Sequence, residues 1–284
     1  MRGKEQPCAG QMVAVMKTAE VISRIESLVP SGFAAPWDNC GVQIAGPERD
    51  VTKVAVALDP LPQVVSSALE WGAQFVLTHH PLAIEAKLPA KLDWFDDVMK
   101  QVFCADATLF ASHTSLDVQF KGAVSWLGRE LELENLRVLD QVAENEAGDI
   151  LGYGCIGEYS TPVVFADFVE RVSQLSGCGV VALCGPEPEK VGCVAMCPGS
   201  GSSFMDKAFG LGADVFITGD VKYHPAQESV GAVLDVGHFS LEEEMMRRFS
   251  VLLGEDLGKE VEVKFFSGRN PFAYHVQGEG VRRP

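Results

Sequence analysis

A chain of 284 residues, 47% hydrophobic and 22% charged, has the composition of an ordinary globular protein and enough length to bury a substantial core in one large domain or two smaller ones. No apolar run approaches the roughly 20 residues a membrane helix requires, so no membrane partner is expected. The formal charge of −16, with no stripe of lysine or arginine, argues against nucleic-acid binding and favours small-molecule or cationic partners, metal ions among them.

Residues 1–16 carry some positive charge but lack the continuous apolar core and small-residue cleavage site of a signal peptide. They read as a loose extension of a cytoplasmic protein, with Met12 and Met16 as alternative starts. Val13 to Leu28 then has the pattern of an amphipathic helix, closed by Pro30-Ser31-Gly32. Val51 to Leu58 reads as a buried strand, Pro60 to Trp71 as a helix, and Gln74 to Thr78 as a second buried strand running into His79-His80. A helix around Asp93 to Phe103, a strand Thr108 to Ser112 running into His113, and a helix around Ala123 to Leu131 complete the first half.

Val142 to Asp149 is acidic and loop-like. Ile150 to Tyr159 follows as a strand, and Thr161-Pro162 reads as the N-cap and first-turn proline of a helix reaching about Ser176. Next come a strand Val191 to Met196, a glycine-rich turn Pro198 to Ser203, a short helix Phe204 to Leu211, and buried strands Val215 to Thr218 and Val233 to Val236. A long helix Leu241 to Leu253 and a strand Val261 to Phe266 end the pattern. Alternating strands and helices predict a layered α/β fold. We expect two α/β domains, one of residues 17–135 with 237–284 and one of 136–236.

Eight cysteines are spread without the density of a disulfide scaffold, which suits reduced thiols. Cys193 and Cys197 have a C-x3-C spacing that would suit zinc, but a strand followed by a turn explains the pair as well.

Four of the six histidines fall in three clusters at predicted strand ends: His79-His80-Pro81, His113 with Asp117, and His238 with Glu242. Imidazole and carboxylate together are the donor set of transition-metal sites. Adjacent residues of a strand point to opposite faces, so His79 and His80 can share a site only if the strand stops there, as Pro81 suggests; a histidine pair that caps a helix or hydrogen-bonds in a turn is the competing reading. His238 and Glu242 stand one helical turn apart if a helix begins near Ser240. A capping box of Ser240 and Glu243 competes as an explanation of that turn. Asp117 can equally be a turn former. All three clusters nonetheless sit at carboxyl ends of buried strands, where α/β sheets place their sites. Gly199, Ser200, Gly201, Ser202 and Ser203 precede a helix and can supply phosphate-binding amides, with Lys222 as the nearest cation; a plain turn is the competing reading.

The segments Trp37-Asp38-Asn39-Cys40-Gly41-Val42, Thr78-His-His-Pro-Leu82, His113-Thr-Ser-Leu-Asp117, Ile217-Thr218-Gly219-Asp220 with His224, and Gly237-His238 through Glu242 occur in the order found in the GTP cyclohydrolase I type 2 homologue family, also called the Ngg-interacting-factor-three-like family. The resemblance runs from about residue 17 to 275, and the length is similar to that of the family's short members. It implies a two-domain α/β fold, a toroidal homohexamer, and a dinuclear metal site in the interdomain cleft facing the central cavity; imidazole and carboxylate ligands suit two divalent ions per chain of Zn, Fe, Mn, Co or Ni. The ligands it implies are His79, His80, Asp117, His238 and Glu242, with Glu242 or Asp117 bridging, and His113 beside the site. His113 or His224 would then act as proton carrier. Two positions depart from the pattern: Cys40 replaces a small apolar residue, and Asp220 stands where Glu is expected. The expected function is a dinuclear metal-dependent hydrolase of a nucleotide or related heterocycle, GTP ring opening being the activity in the family's name. The alternative is a non-catalytic metal-storing or metal-carrying scaffold.

Overall fold

The computed structural model describes residues 16–277 and 280–282. Residues 1–15 of the expected loose segment 1–16, and the start of the helix predicted from Val13, lie outside them; Met16, the last residue of that segment, is instead buried and paired antiparallel with Val51. Two mixed sheets, with helices between and outside them, make up the fold, and two short antiparallel pairings, Met16–Lys17 with Asp50–Val51 and Tyr274–Val276 with Gly280–Arg282, lie apart from them. In chain order the strands are β1 (Gly41–Ile44), β2 (Lys53–Ala57), β3 (Phe75–Thr78), β4 (Thr108–Ala111), β5 (Glu134–Glu144), β6 (Ile150–Val164), β7 (Ala182–Cys184), β8 (Lys190–Met196), β9 (Val215–Thr218), β10 (Ala232–Asp235) and β11 (Glu262–Phe265). The helices are α1 (Thr18–Leu28), α2 (Pro62–Glu70), α3 (Trp94–Cys104), α4 (Thr114–Asp117), α5 (Trp126–Glu130), α6 (Phe165–Ser176), α7 (Met205–Gly210), α8 (Tyr223–Glu228) and α9 (His238–Leu257).

The first sheet has the order β11-β2-β3-β4-β1, parallel except for the edge strand β1. The second has the order β5-β6-β8-β9-β10-β7, with β8, β9 and β10 parallel at its centre. Parallel strands need cover on both faces, and their near-continuous apolar sequences supply it. Val54 and Val56 of β2 face one way and Ala55 the other; Val194 and Met196 of β8 divide from Ala195 in the same manner, as the two-residue period of a strand requires. The inward sets of both sheets join one core with Val21 and Ile25 of α1, Trp126 of α5, Phe168 of α6 and Met245, Met246 and Phe249 of α9. On the outer face of the first sheet, Val65 and Ala68 of α2 and Val98 and Val102 of α3 cover Ala55 and Val76. Met205 and Ala208 of α7 do the same for Ala195 and Phe216 of the second. The result is five layers, with α9 central between the sheets.

Several boundaries differ from the sequence expectations. Thr161-Pro162 begins no helix: β6 runs on to Val164, paired to Lys190 and Val191, and α6 starts at Phe165. Proline is tolerated there because β6 has passed the end of β5, whose pairing stops at Glu158, and one edge is free. The acidic stretch from Val142 is strand as far as Glu144; only Asn145 to Asp149 form the turn of a β5-β6 hairpin, where the Asn145 side chain accepts from the amides of Ala147 and Asp149. β5, β1 and β7 escape the sequence reading because they are edge strands with few buried residues. The helix expected over Ala123 to Leu131 is broken into a π-type turn Phe120–Val124 and α5, with Gly122 non-helical.

The pairing that orients the fold for function is between strand ends. β2, β3 and β4 of one sheet and β8, β9 and β10 of the other all end in segments that reach a single cluster of side chains.

Candidate metal centre

β3 ends at Thr78, and the chain then leaves the strand direction. Both His79 and His80 amides donate to the Leu58 carbonyl, and the Thr78 hydroxyl donates to the His80 carbonyl at 2.8 Å. Freed from strand alternation, the two imidazoles converge, their ring centroids 5.1 Å apart. At the end of β4, His113 precedes the single-turn helix α4, and the Asp117 amide donates back to the His113 carbonyl, which brings Asp117 into the same space. At the end of β10, α9 begins at His238, three residues earlier than expected. No side chain caps it, and Glu243 accepts from Ser267 and Gly268 instead, so the capping box is not formed. His238 and Glu242 therefore occupy adjacent turns of one helix face.

Each of the four histidines is anchored through Nδ1. That of His79 meets the Ser112 carbonyl at 2.9 Å, that of His80 Asp59 at 2.7 Å, that of His113 Asp38 at 2.9 Å, and that of His238 Asp220 at 2.8 Å. Orientation of one ring nitrogen by a carboxylate or carbonyl, leaving the other outward, is the arrangement that supports metal-ligating histidines. The outward nitrogens gather around two acids. Glu242 Oε1 lies 3.7 Å from His79 Nε2, and its Oε2 lies 3.1 Å from His80 Nε2 and 2.8 Å from His238 Nε2, while Asp117 Oδ1 lies 3.6 Å from His79 Nε2. Among the described residues, three overlapping sets can hold a metal ion: His79, His80 and His113; His80, His238 and Glu242; and His79, Asp117 and Glu242.

Burial and charge explain why such a group exists. His79 is fully buried and Glu242 is 4% exposed. His79 Nε2, His238 Nε2 and Glu242 Oε2 are buried without a hydrogen-bond partner, the close His238 to Glu242 approach lacking hydrogen-bond geometry. Orphaned buried polar atoms are costly unless something else satisfies them, and a divalent cation between them would. The donor set fits the ions expected from the sequence. Burial would depress His80, but Asp59 and Glu242 on its two nitrogens raise it to about 10. His238 is likewise pulled against burial, by Glu242 and Asp220, up to about 9. Burial would raise Glu242, yet His79, His238 and His80 hold it well below the usual carboxylate range. Asp117 moves upward, because burial and the neighbouring Glu242 charge outweigh the pull of His79.

The cluster borders two cavities. One, of about 350 Å³, is bounded by Trp37, Tyr153, Phe204 and the imidazoles of His113 and His238; the other, of about 470 Å³, lies beyond His80 and His238 and is bounded by Asp59, Asp220, Asp235 and Phe272.

Other residues singled out in the sequence are placed differently. His224 is exposed on α8 with its ring against Tyr223, and Lys222 is exposed just before it; neither belongs to the converging group among the described residues. The Gly199 to Ser203 loop lies against the site. A Cβ on Gly199, at φ +67°, would stand 2.2 Å from Glu242 Oε1, and the Gly201 amide is taken by Thr218 Oγ1 at 2.9 Å. Only a glycine lets this loop close over the carboxylate. Cys193 lies in the middle of β8 and Cys197 just after its end, and neither joins a metal set among the described residues; the seven cysteines described are free. Sequence reasoning gave no role to Asp38 or Asp59. The signal for Asp59 was present, since Asp59-Pro60 follows a buried strand on the same sheet edge as the histidines. Asp38 comes from a loop before β1 and meets His113 only through folding.

Comparison with known proteins agrees with this architecture. A GTP cyclohydrolase 1 type 2 homolog of Streptococcus pneumoniae is 30% identical over 277 residues, covering 92% of this chain and 100% of that protein. One from Clostridium perfringens is 28% identical over 267 residues, covering 91% and 100%. Among solved structures, a Bacillus cereus protein related to NIF3 superposes with a TM-score of 0.83 at 21% identity, over 92% of this chain and 100% of that one, and shares the fold. Reduced HcgD from Methanocaldococcus jannaschii gives a TM-score of 0.75 at 26% identity, over 89% and 98%. The family model Duf34/NIF3 (NGG1p interacting factor 3) matches residues 16–271, and the chain belongs to that family.

Proposed function

We propose that the chain is a dinuclear metal-dependent hydrolase acting on a nitrogen heterocycle of the nucleotide or related kind. The observation that carries this reading is the set of four imidazoles, each oriented through Nδ1, converging with Asp117 and Glu242 at a place bordered by cavities. His79, His80, Asp117, His238 and Glu242 would hold two divalent ions. Glu242 turns one oxygen toward His79 and the other toward His80 and His238, which suits a bridging role. Bound there, such ions lower the pKa of water and polarise an electrophile. The chain's own contribution is orientation and proton transfer. Asp38 commits His113 Nδ1, leaving Nε2 as the nitrogen that exchanges a proton with substrate. His224, exposed on α8, has no part in this scheme. A homohexamer belongs to the same reading, tested by light scattering in solution.

The test is metal analysis of the purified protein followed by turnover of GTP and other heterocycles, with Glu242→Ala alongside. About two ions per chain, with turnover abolished by the substitution, is the expected result. Two ions without turnover of any heterocycle would point to a metal carrier, and a folded, unchelated sample without metal would overturn the site.

A further inference from the structure

We propose that the substrate of this centre is a compact planar ring system that carries no polyphosphate, received between the aromatic side chains of the smaller cavity. The inference rests on the hydrolase reading above and narrows it.

Two independent observations lead there. The first is the wall. Tyr153 of β6 and Phe204 stack with centroids 5.6 Å apart and planes 25° from parallel, and Trp37 meets the His113 ring edge-on at 5.9 Å. Tyr153, Phe204, Trp37 and His113 all border the cavity that also exposes Asp117 and Glu242. Flat π faces beside polar groups are how proteins hold heterocycles. At about 350 Å³ the cavity is at the small end for ligand sites, room for one ring system with a short substituent.

The second is charge. No lysine or arginine borders either cavity among the described residues, and the larger one presents Asp59, Asp220 and Asp235. A polyphosphate leaving the ring pocket on that side would meet carboxylates already committed to His80, His238 and the amides of Val221 and Gly237. In the glycine-rich loop beside it, the Gly201 N–H is already spent on Thr218 Oγ1. Cationic forks are the usual complement of a polyphosphate's charge.

The experiment uses the metal-loaded full chain and isothermal titration with guanosine, adenosine, cytidine and a pterin, each purine or pyrimidine nucleoside being paired with its triphosphate. At least one ring compound is expected to bind tenfold or more tightly than its triphosphate. Tyr153→Leu, and separately the exposed-site substitution Trp37→Ala, are expected to weaken that binding on the order of tenfold with metal content unchanged. Triphosphates binding as tightly as nucleosides, no binding by any ring, or binding indifferent to both substitutions would each overturn the proposal. Metal content of the same samples separates the two readings: a protein that holds metal yet binds no ring refutes the ring pocket alone, and one that holds no metal refutes the hydrolase.

Discussion

His238 donates from Nδ1 to Asp220 Oδ2 at 2.8 Å, although Asp220 is one methylene shorter than the glutamate expected at that position. Two features close the distance. Asp220 adopts a left-handed backbone, φ 56°, and Gly219 before it passes so near the start of α9 that a Cβ would lie 2.3 Å from the His238 amide nitrogen. The loop after β9 approaches α9 closely enough for the shorter acid to reach. Asp220→Asn should leave the fold intact and weaken metal binding by 10- to 100-fold, the usual cost of losing the partner of a ligating histidine; competition titration with a chromophoric chelator measures it.

Gly199→Ala probes the same ligand from the opposite side. The added methyl must displace the Glu242 carboxylate, and the left-handed backbone adds roughly 1 kcal/mol of strain. Metal affinity should fall on the order of tenfold or more with only a modest loss of thermal stability, readable by chelator competition and calorimetry on one sample. Unchanged affinity would mean that the loop does not set the position of Glu242.

Metal binding should release protons. Metal-free His80 and His238, raised to about 10 and about 9, hold protons at pH 7 to 8, and a cation needs them neutral. Apparent affinity is therefore expected to rise with pH up to about 10, and titration calorimetry in buffers of different ionisation enthalpy should report proton release. For the metal-free protein the sign is the reverse. A raised folded pKa makes these pairs stabilising below the unfolded value of roughly 6.5, and that contribution is lost as pH climbs through 9 to 10.

Asp38 supplies an acid-side prediction. Its buried carboxylate faces a desolvation penalty, but it accepts from His113 and from the amide and hydroxyl of Thr114, and the net effect is a pKa well below the usual range. A depressed folded pKa gives stability that is complete above the unfolded value of about 3.9 and is lost as pH falls through the folded one. Asp38→Ala should cost about 2 kcal/mol or more at neutral pH. The difference from the parent should be flat above about pH 5 and shrink below about pH 4 in chemical denaturation of the metal-free chains. A difference that persists undiminished into strong acid would show that the carboxylate charge is not what holds this corner.

Residue chemistry and strand periodicity alone supported the layered α/β class, the central parallel strands, and the histidine clusters at their ends, because buried parallel strands are continuous apolar runs and glycine, proline and histidine punctuate them visibly. The ligand set carried over from the family resemblance is brought to one place by the fold. The edge strands β1, β5 and β7 were not legible, since a strand paired on one side with a largely exposed face has neither a long apolar run nor a helical period. Nor did periodicity reveal that β6 continues through Pro162, which depends on where β5 ends. Only the tertiary structure decided which acid orients which imidazole. Asp38 and His113 are 75 positions apart, and Asp59 and His80 are 21 apart. Their pairing is a property of two sheets whose strand ends are brought together around α9, and no local pattern in the chain encodes it.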